Sequence, residues 1–322
     1  MQLEIYSTMR YSRIRDDWAR LYDLTPEVSP FLHPDAMHIA YRYFYPYYIS
    51  RKTLPCFMVF KENGVARAII PFLKHRSGRL QLFGNVNGFD ESGFVYDSVN
   101  ILPDIFSNIK GGGDYNIEFV RINANSPISA YISADARPTS NAAIHFDSNF
   151  QEYISTLSKS VRQNIRTAYN RLANDGLHFD IKTYVGKDAD FPINDIIDLY
   201  CRRHYQRYGV KTGRLKHWFL KTQSFATRYY RFSSNALTVV LNIHGRPAAF
   251  LSGLFNENRL VVPRLSIDSK YQRYSPGMLL CVETIKHLQS NTNIRTLDLA
   301  IGNESYKYQL GAVEYFTYRF LL

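Results

Sequence analysis

Cysteine is scarce in this sequence, and its spacing excludes two common roles. The three cysteines, Cys56, Cys201 and Cys281, are far apart and odd in number. They form neither the paired spacing of a zinc site nor the framework of a disulfide-rich secreted domain. We therefore expect no bound metal and a reducing, cytoplasmic location.

Long apolar runs and several catalytic motifs are also missing. No stretch approaches the ~18 apolar residues that span a bilayer. The first residues, MQLEIYSTMRYSR, lack the apolar segment of a signal peptide. There is no G-x-S-x-G elbow, and the run Gly111–Gly113 lacks the Lys-Ser/Thr of a phosphate loop. These absences disfavour serine hydrolases and P-loop enzymes.

What is present is enough apolar sequence for a large core and an excess of positive charge. The chain has 322 residues, of which 45% are hydrophobic, and this length favours two domains. The formal net charge is +11. Such a charge favours an anionic partner, and it fits a phosphorylated cofactor, a nucleic acid or an anionic membrane surface equally well.

The first half of the sequence reads as a mixture of helices and strands around a hairpin. The hairpin has Asn63-Gly64 at its turn, which is a strong turn signal. The predicted elements are helices at 12–24, 33–45 and 102–109, and strands at 56–61, 65–73, 80–83 and 116–122. Residues 127–141 are predicted to be irregular, with small and polar residues, and favour a domain boundary in this part of the chain; the predicted domains are 1–145 and 146–322.

The second half begins with an amphipathic helix and continues into a three-stranded meander. Val161, Ile165, Ala168 and Leu172 form an apolar stripe at helical spacing. The predicted elements are helices at 158–173, 193–208, 215–232 and 276–288, and strands at 179–184, 237–243, 247–255, 260–267, 294–300 and 313–321. A meander followed by a crossover helix predicts an α/β fold with a mixed sheet. Both halves contain a similar hairpin, which favours a duplication.

The corner QRYSPG, residues 272–277, lies between the third meander strand and the next helix. Ser275 is a suitable N-cap, and Pro276 suits the first helical position. The N–H groups of Gly277, Met278 and Leu279 at the helix start form a potential anion site, to which Gln272 and Arg273 can add side-chain donors. The alternative is an ordinary turn before a capped helix.

This corner resembles the pyrophosphate-binding motif of the GNAT acyltransferase superfamily, with Gln272 and Gly277 at its ends and Ser275 in place of the usual first glycine. The chain is more specifically similar to the BioF2-like or CelD-type branch, which is related to the FemAB transferases. Four stretches carry this resemblance: DDWARLY…SPFLHPDAM, LQLFGN, LSKSVRQNIRTAYNRLANDG and YSPGMLL…LDLAIGNESYKYQLGA.

The resemblance implies two tandem GNAT-like lobes, of which the N-terminal one is degenerate. It also implies that acetyl-CoA or another acyl-CoA is the co-substrate, and that the acceptor is a sugar, a polysaccharide or a cell-envelope precursor. Because Fem relatives use a lysine in this region to contact phosphate, Lys307 is a candidate for that role. A lysine on the surface is the alternative.

Acyl transfer needs a base for the acceptor proton and donors for the oxyanion. The best-placed carboxylates are Asp298, near the end of a predicted strand, and Glu304, just beyond it. Either residue can instead form a local ion pair. Tyr306 is a candidate proton donor, with packing as the alternative.

Three basic residues, Lys159, Arg162 and Arg166, lie on one face of the amphipathic helix. They are candidate contacts for an anionic acceptor, a tRNA backbone or a membrane surface, and the alternative is a solvated face. Two further hypotheses about function therefore stay open. The first is a Fem-like transferase that uses aminoacyl-tRNA, and the second is a non-catalytic GNAT-like module that binds a partner in envelope or polysaccharide assembly.

Overall fold

The chain forms two compact units. The first contains Met1–Ser140 and Tyr315–Leu322, and the second contains Asn141–Glu314. The computed structural model describes residues 1–43, 52–83, 89–111, 116–147, 149–188, 190–208 and 231–322. The last strand thus returns to the first unit after the second has been completed.

The first unit is a sheet with helices packed on it. Its strands are β1 (Gln2–Ser7), β2 (Thr53–Glu62), β3 (Val65–His75), β4 (Leu80–Leu82), β5 (Val95–Tyr96), β6 (Ile117–Asn123) and β13 (Val313–Leu321), and its helices are α1 (Arg15–Leu24), α2 (Pro34–Tyr43) and α3 (Leu102–Gly111). The strand order is β1-β2-β3-β4-β6-β13, with β5 paired to β3. Asn63 and Gly64 both have positive φ, as the predicted hairpin turn requires. Trp18 and a set of aromatic rings fill the core.

The second unit is a mixed sheet, as predicted. Its strands are β7 (Arg137–His145, of which residues from Asn141 belong here), β8 (Phe179–Val185), β9 (Ala236–Ile243), β10 (Arg246–Phe255), β11 (Arg259–Ile267) and β12 (Thr296–Ile301), and its helices are α4 (Phe150–Thr156), α5 (Lys159–Asn174), α6 (Ile193–Tyr208), α7 (Pro276–Asn291) and α8 (Ser305–Gln309). The strand order is β7-β12-β11-β10-β9-β8. Strands β8 to β11 are antiparallel, whereas β11 and β12 are parallel.

Helix α5 and the meander β9–β11 confirm the predicted pattern. The four stripe residues of α5 are its buried residues, and Gly176 ends the segment with a φ of +64°. The apolar spacing is sufficient here because one face of the helix contacts a core.

Several elements differ from the predicted ones. Strand β7 begins at Arg137, inside the segment predicted to be irregular, and β1, β5, α4 and α8 were not predicted. The two helices are short. The three strands are short or lack a regular alternation of apolar residues, and the strands with which they pair lie far away in the sequence. The predicted helix 215–232 lies almost entirely outside the described residues.

Candidate functional site

Strands β11 and β12 separate after a short parallel ladder. Their pairs are Arg259–Thr296, Leu260–Leu297 and Val261–Asp298. Strand β11 then continues to Ile267 while it remains paired with β10, and β12 continues to Ile301. Within the described part of the chain, no strand occupies the edge of β11 beyond Val261. We call this opening at the carboxyl ends of β11 and β12 the gap.

A bulge in β11 marks the start of the gap. The pairing between β10 and β11 shifts its register between Ser252 and Leu254, and the extra residue lies in β11 near Pro263. Gly253 is opposite the bulge, and a Cβ at that position would collide with the Val261 carbonyl. Glycine is therefore required there, and proline is tolerated because the bulge does not need its missing N–H.

Two backbone amides point into the gap. The Asp268 N–H donates to the Ala248 carbonyl at 2.8 Å, so this pair is hydrogen-bonded to β10. Hydrogen-bonded and non-hydrogen-bonded pairs alternate along an antiparallel ladder. Ser266 and Arg264 therefore bond to β10, whereas the N–H groups of Leu265 and Ile267 point away from it. The gap thus presents two backbone donors on one strand edge.

The corner after β11 is a 3-10 helix, Ser269–Tyr274, followed by α7. Ser275 connects them with φ 49° and ψ 47°, and its side chain caps nothing. The predicted side-chain N-cap is therefore wrong. Ser275 instead takes the left-handed conformation that glycine adopts at no steric cost. This conformation explains in physical terms why a glycine is usual at this position of the motif that the corner resembles.

The amides at the start of α7 are only partly available. The N–H groups of Met278 and Leu279 donate to the Ser275 carbonyl at 3.0 and 3.2 Å. These two amides are therefore not free donors, contrary to the sequence-based expectation. The Gly277 N–H has no partner among the described residues. A Cβ on Gly277 would lie 3.3 Å from Leu265 Cδ2, so this glycine allows α7 to pack closely against β11.

The side chains of the corner have separate contacts. Gln272 is exposed. Arg273 pairs with Asp175 beyond the end of α5, and its guanidinium lies 4.7 Å from the centre of the Tyr274 ring. The hydrogen bond to Tyr274 and the charge of Asp175 raise the pKa of Arg273. Arg273 therefore ties the corner to α5, and it would have to exchange this contact to hold a phosphate.

Lys307 is buried beneath the end of β12. It is 2% exposed, and its Nζ lies 3.0, 3.3, 2.9 and 3.1 Å from the carbonyl oxygens of Leu299, Ala300, Ile301 and Gly302. The Glu304 carboxylate is 3.1 Å away. Because an ammonium has three donors, these contacts occupy all of them. The structure therefore corrects the alternative that Lys307 lies on the surface, and its predicted contact with a phosphate, which would have to replace these contacts, stays a prediction.

The candidate carboxylates have different environments. Asp298 is 1% exposed; it accepts hydrogen bonds from Arg259 at 3.2 Å and from the Ala300 N–H at 2.8 Å. This corresponds to the local ion pair that the sequence left open, and it places Asp298 out of reach of an acceptor proton. The Glu304 side chain is 55% exposed beside Lys307. Burial raises the pKa of Tyr306, which therefore remains a protonated phenol.

The three basic residues of α5 differ in their surroundings. Arg162 donates to the carbonyls of Ser155 and Leu157 at 2.9 and 2.7 Å, so it holds the end of α4 and is not directed at an acceptor. Lys159 and Arg166 are exposed. Their predicted contact with an acceptor stays a prediction.

An open cavity of about 280 Å³ lies between the start of α5 and α8. Its lining residues are Thr156, Leu157, Ser158, Ser160, Val161, Asn164, Tyr308, Gln309 and Gly311. None of them is charged, and most carry a hydroxyl or an amide. The sequence analysis missed this cavity because its two walls are about 150 residues apart in the chain.

The described residues contain no cluster of three or more His, Cys, Asp or Glu side chains that could hold a metal ion. Within the same residues, no helix is long and apolar enough to cross a membrane. The three cysteines are buried, and burial raises the pKa of the Cys281 thiol to about 12.

Known proteins share both the domain and the fold of this chain. Residues 159–308 match the family model of the acetyltransferase (GNAT) domain. No curated protein matches the chain in sequence. The fold is similar to that of FemX, with a TM-score of 0.62 at 8% identity over 100% of this chain and 98% of that chain.

Two other solved structures share the fold. The C-terminal domain of a lysylphosphatidylglycerol synthetase homologue from Agrobacterium fabrum has a TM-score of 0.58 at 14% identity, over 95% of this chain and 92% of that chain. A tandem GNAT protein from the clavulanic acid pathway has a TM-score of 0.51 at 12% identity, over 99% and 98%. Residues 159–308 therefore form a GNAT domain, and the whole chain shares the fold of FemX. This chain has the fold of two GNAT-like lobes, and the domain at 159–308 is that of an acyltransferase.

Proposed function

We propose that this protein transfers an acyl group, in the simplest case acetyl, from acyl-CoA to an amine or hydroxyl of a small hydroxyl-rich acceptor. The observation that carries the proposal is the gap with the inward-pointing amides of Leu265 and Ile267. An extended chain that contains amides, such as the pantetheine arm of CoA, can add to such a strand edge through backbone hydrogen bonds. One amide would then polarise the thioester carbonyl and stabilise the oxyanion of the tetrahedral intermediate.

The remaining parts of the site depend on this placement of the thioester. The pyrophosphate would lie at the corner, near the Gly277 N–H and the exposed Gln272. Arg273 would contact it once its guanidinium exchanges the carboxylate of Asp175 for a phosphate. Glu304 is the exposed carboxylate proposed to accept the proton of the acceptor. Tyr306 is proposed to donate a hydrogen bond to the departing sulfur. Because CoA thioesters are cytoplasmic metabolites, the reaction is proposed to take place in the cytoplasm.

The cavity between α5 and α8 supports the proposed class of acceptor. Hydroxyl and amide side chains beside the Tyr308 ring suit a sugar, as in a polysaccharide or cell-envelope precursor. The volume is close to the lower limit of about 300 Å³ for ligand pockets, which fits a small unit. Lys159 and Arg166 do not line the cavity, and they stay proposed contacts for a phosphate of such a precursor on another face of α5.

A second candidate is a transferase that takes its acyl group from aminoacyl-tRNA. The net charge of +11 and the fold shared with FemX favour it. Calorimetry with acetyl-CoA, free CoA and tRNA distinguishes the candidates. We expect acetyl-CoA to bind and tRNA not to bind at physiological salt. Binding of tRNA with a steep salt dependence would support the second candidate, and binding of neither would support a non-catalytic module.

A further inference from the structure

We infer that Lys307 is a positioning residue that keeps the gap open by holding the end of β12 in a curl. The inference rests on the proposed function, in which the gap receives the acyl donor. Its basis is the convergence of four successive carbonyl oxygens, from Leu299 to Gly302, on one buried ammonium.

Such convergence is incompatible with a regular strand. Successive carbonyls of an extended strand point in opposite directions, so four of them can meet one atom only if the chain curls. The curl is visible in the backbone, because Ala300 has φ 53° and Gly302 has φ 112°. The pairing of β12 with β7 also shifts its register between Asp298 and Ile301. Asp298 is the last residue of β12 that pairs with β11.

The ammonium competes with the ladder for the same carbonyls. A straight β12 would direct alternate carbonyls and amides toward β11, where the amides of Leu265 and Ile267 have no partner among the residues that the structure describes. Lys307 instead binds these carbonyls on its own, and the Glu304 carboxylate balances its charge. A buried lysine without such partners would be strongly destabilised, so the curl and the charged side chain stabilise each other.

A lysine that holds β12 in a curl differs from a lysine that binds a phosphate. Binding of two acyl donors, one with phosphates and one without, distinguishes these two roles. Acetyl-CoA carries phosphates, whereas acetylpantetheine has the same thioester arm and none. The change is Lys307→Met, which keeps an unbranched side chain as far as the ε carbon and removes the ammonium with its three N–H groups. We expect the affinity for both donors to fall by the same factor, at least tenfold, as measured by calorimetry or by chemical shift changes. A loss for acetyl-CoA alone would overturn the inference and return Lys307 to phosphate binding.

If the parent binds neither acetyl-CoA nor acetylpantetheine, the proposed function is rejected but the inference about Lys307 is not. Hydrogen exchange of backbone amides then tests the inference without any acyl donor. In the parent we expect the Leu265 and Ile267 amides to exchange hydrogen faster than the Ser266 amide, which is bonded to β10. In Lys307→Met the straightened β12 would supply partners, so the ratio of the Leu265 rate to the Ser266 rate should fall at least tenfold. A folded variant with an unchanged ratio would show that the gap is open for another reason.

Lys307→Arg is the second variant, for use if Lys307→Met does not fold. It keeps the charge, but its planar donors do not converge on a point as an ammonium does. We expect the ratio of the Leu265 to the Ser266 exchange rate to fall by less than in Lys307→Met. The affinities for acetyl-CoA and acetylpantetheine should fall by the same factor. Full retention of both would contradict a requirement for the curl.

Discussion

Among the described residues, each unit has a pair of parallel strands, β4 with β6 in the first and β11 with β12 in the second. The two pairs differ in the contacts made beyond their last paired residues. In the first unit, β4 and β6 pair only at Leu80–Ile117 and Gln81–Glu118. In the second, β11 and β12 pair over three residues. A residue with positive φ lies beyond the ladder in each case, Arg121 with φ 56° and Ala300 with φ 53°.

The difference lies in the groups that bind the carbonyls after that point. In the first unit the Ser92 N–H donates to the Arg121 carbonyl at 3.1 Å, and Ser92 forms a parallel bridge with Ile122. The chain of the first unit therefore covers its own strand edge. In the second unit the buried Lys307 takes the carbonyls, and none of the described strands pairs with the edge of β11 beyond Val261. Beyond the parallel ladder, the chain itself thus occupies the space between the strands in the first unit, whereas the gap occupies it in the second. This difference is the physical reason why only the second unit is proposed to bind an acyl donor.

The largest expected effect concerns the buried carboxylate at the end of each ladder. Asp298→Ala removes the carboxylate that pairs with Arg259, whose side chain is 12% exposed, and should destabilise the protein by about 3–5 kcal/mol because it breaks a buried ion pair. Glu118→Ala removes the partner of Arg319, which is 52% exposed and remains solvated, so its cost should be smaller. Urea denaturation of both variants gives the comparison. Equal costs would mean that Arg259 finds another partner.

The second effect concerns the free strand edge. Leu265→Pro removes an N–H that points into the gap and leaves the bonds to β10 in place. If that amide stabilises the oxyanion, kcat should fall by about 10²–10³-fold. Ile267→Pro tests the other amide in the same way.

Leu265→Ala is the matched control for side-chain packing and should keep most of the activity. Circular dichroism must first show that the proline variants fold. If both proline variants fold and keep the kcat of the parent, the amides of β11 do not stabilise the oxyanion.

The smallest effect concerns the left-handed serine of the corner. A non-glycine residue in this conformation costs about 1–2 kcal/mol, and glycine adds about 0.5–1 kcal/mol of backbone entropy to the unfolded state. Ser275→Gly should therefore stabilise the protein by about 0.5 kcal/mol, seen as a small rise in Tm. Ser275→Ala, which keeps the strain, should show no gain. A lower Tm for Ser275→Gly would indicate that the hydroxyl has a contact of its own.

The sequence was informative wherever one face of a local element meets a core. The stripe on α5 and the alternation in β9–β11 are local patterns, and the corner was located correctly between β11 and α7. The conformation of Ser275 was not predictable, because a serine before a proline suggests a side-chain cap.

The candidate site was less predictable, because its decisive contacts are not local. Asp298 meets Arg259 across 39 positions of the chain, and this pairing depends on the parallel ladder. Lys307 gave no signal of burial, since a lysine flanked by tyrosines is equally typical of a surface helix. The direction of the Leu265 and Ile267 amides depends on the register between β10 and β11, which could not be predicted from the sequence.

The place of β13 in the chain has a consequence for the order of events during synthesis. The second unit is one continuous stretch, whereas the first needs Tyr315–Leu322 to complete its sheet. Strand β6 pairs with β13 from Glu118 to Asn123. A nascent chain that has not yet reached residue 315 therefore exposes the edge of β6, and an exposed strand edge invites association with other chains. The half that is translated first is consequently the one whose sheet is completed last, and a chain that stops before residue 315 leaves that sheet incomplete.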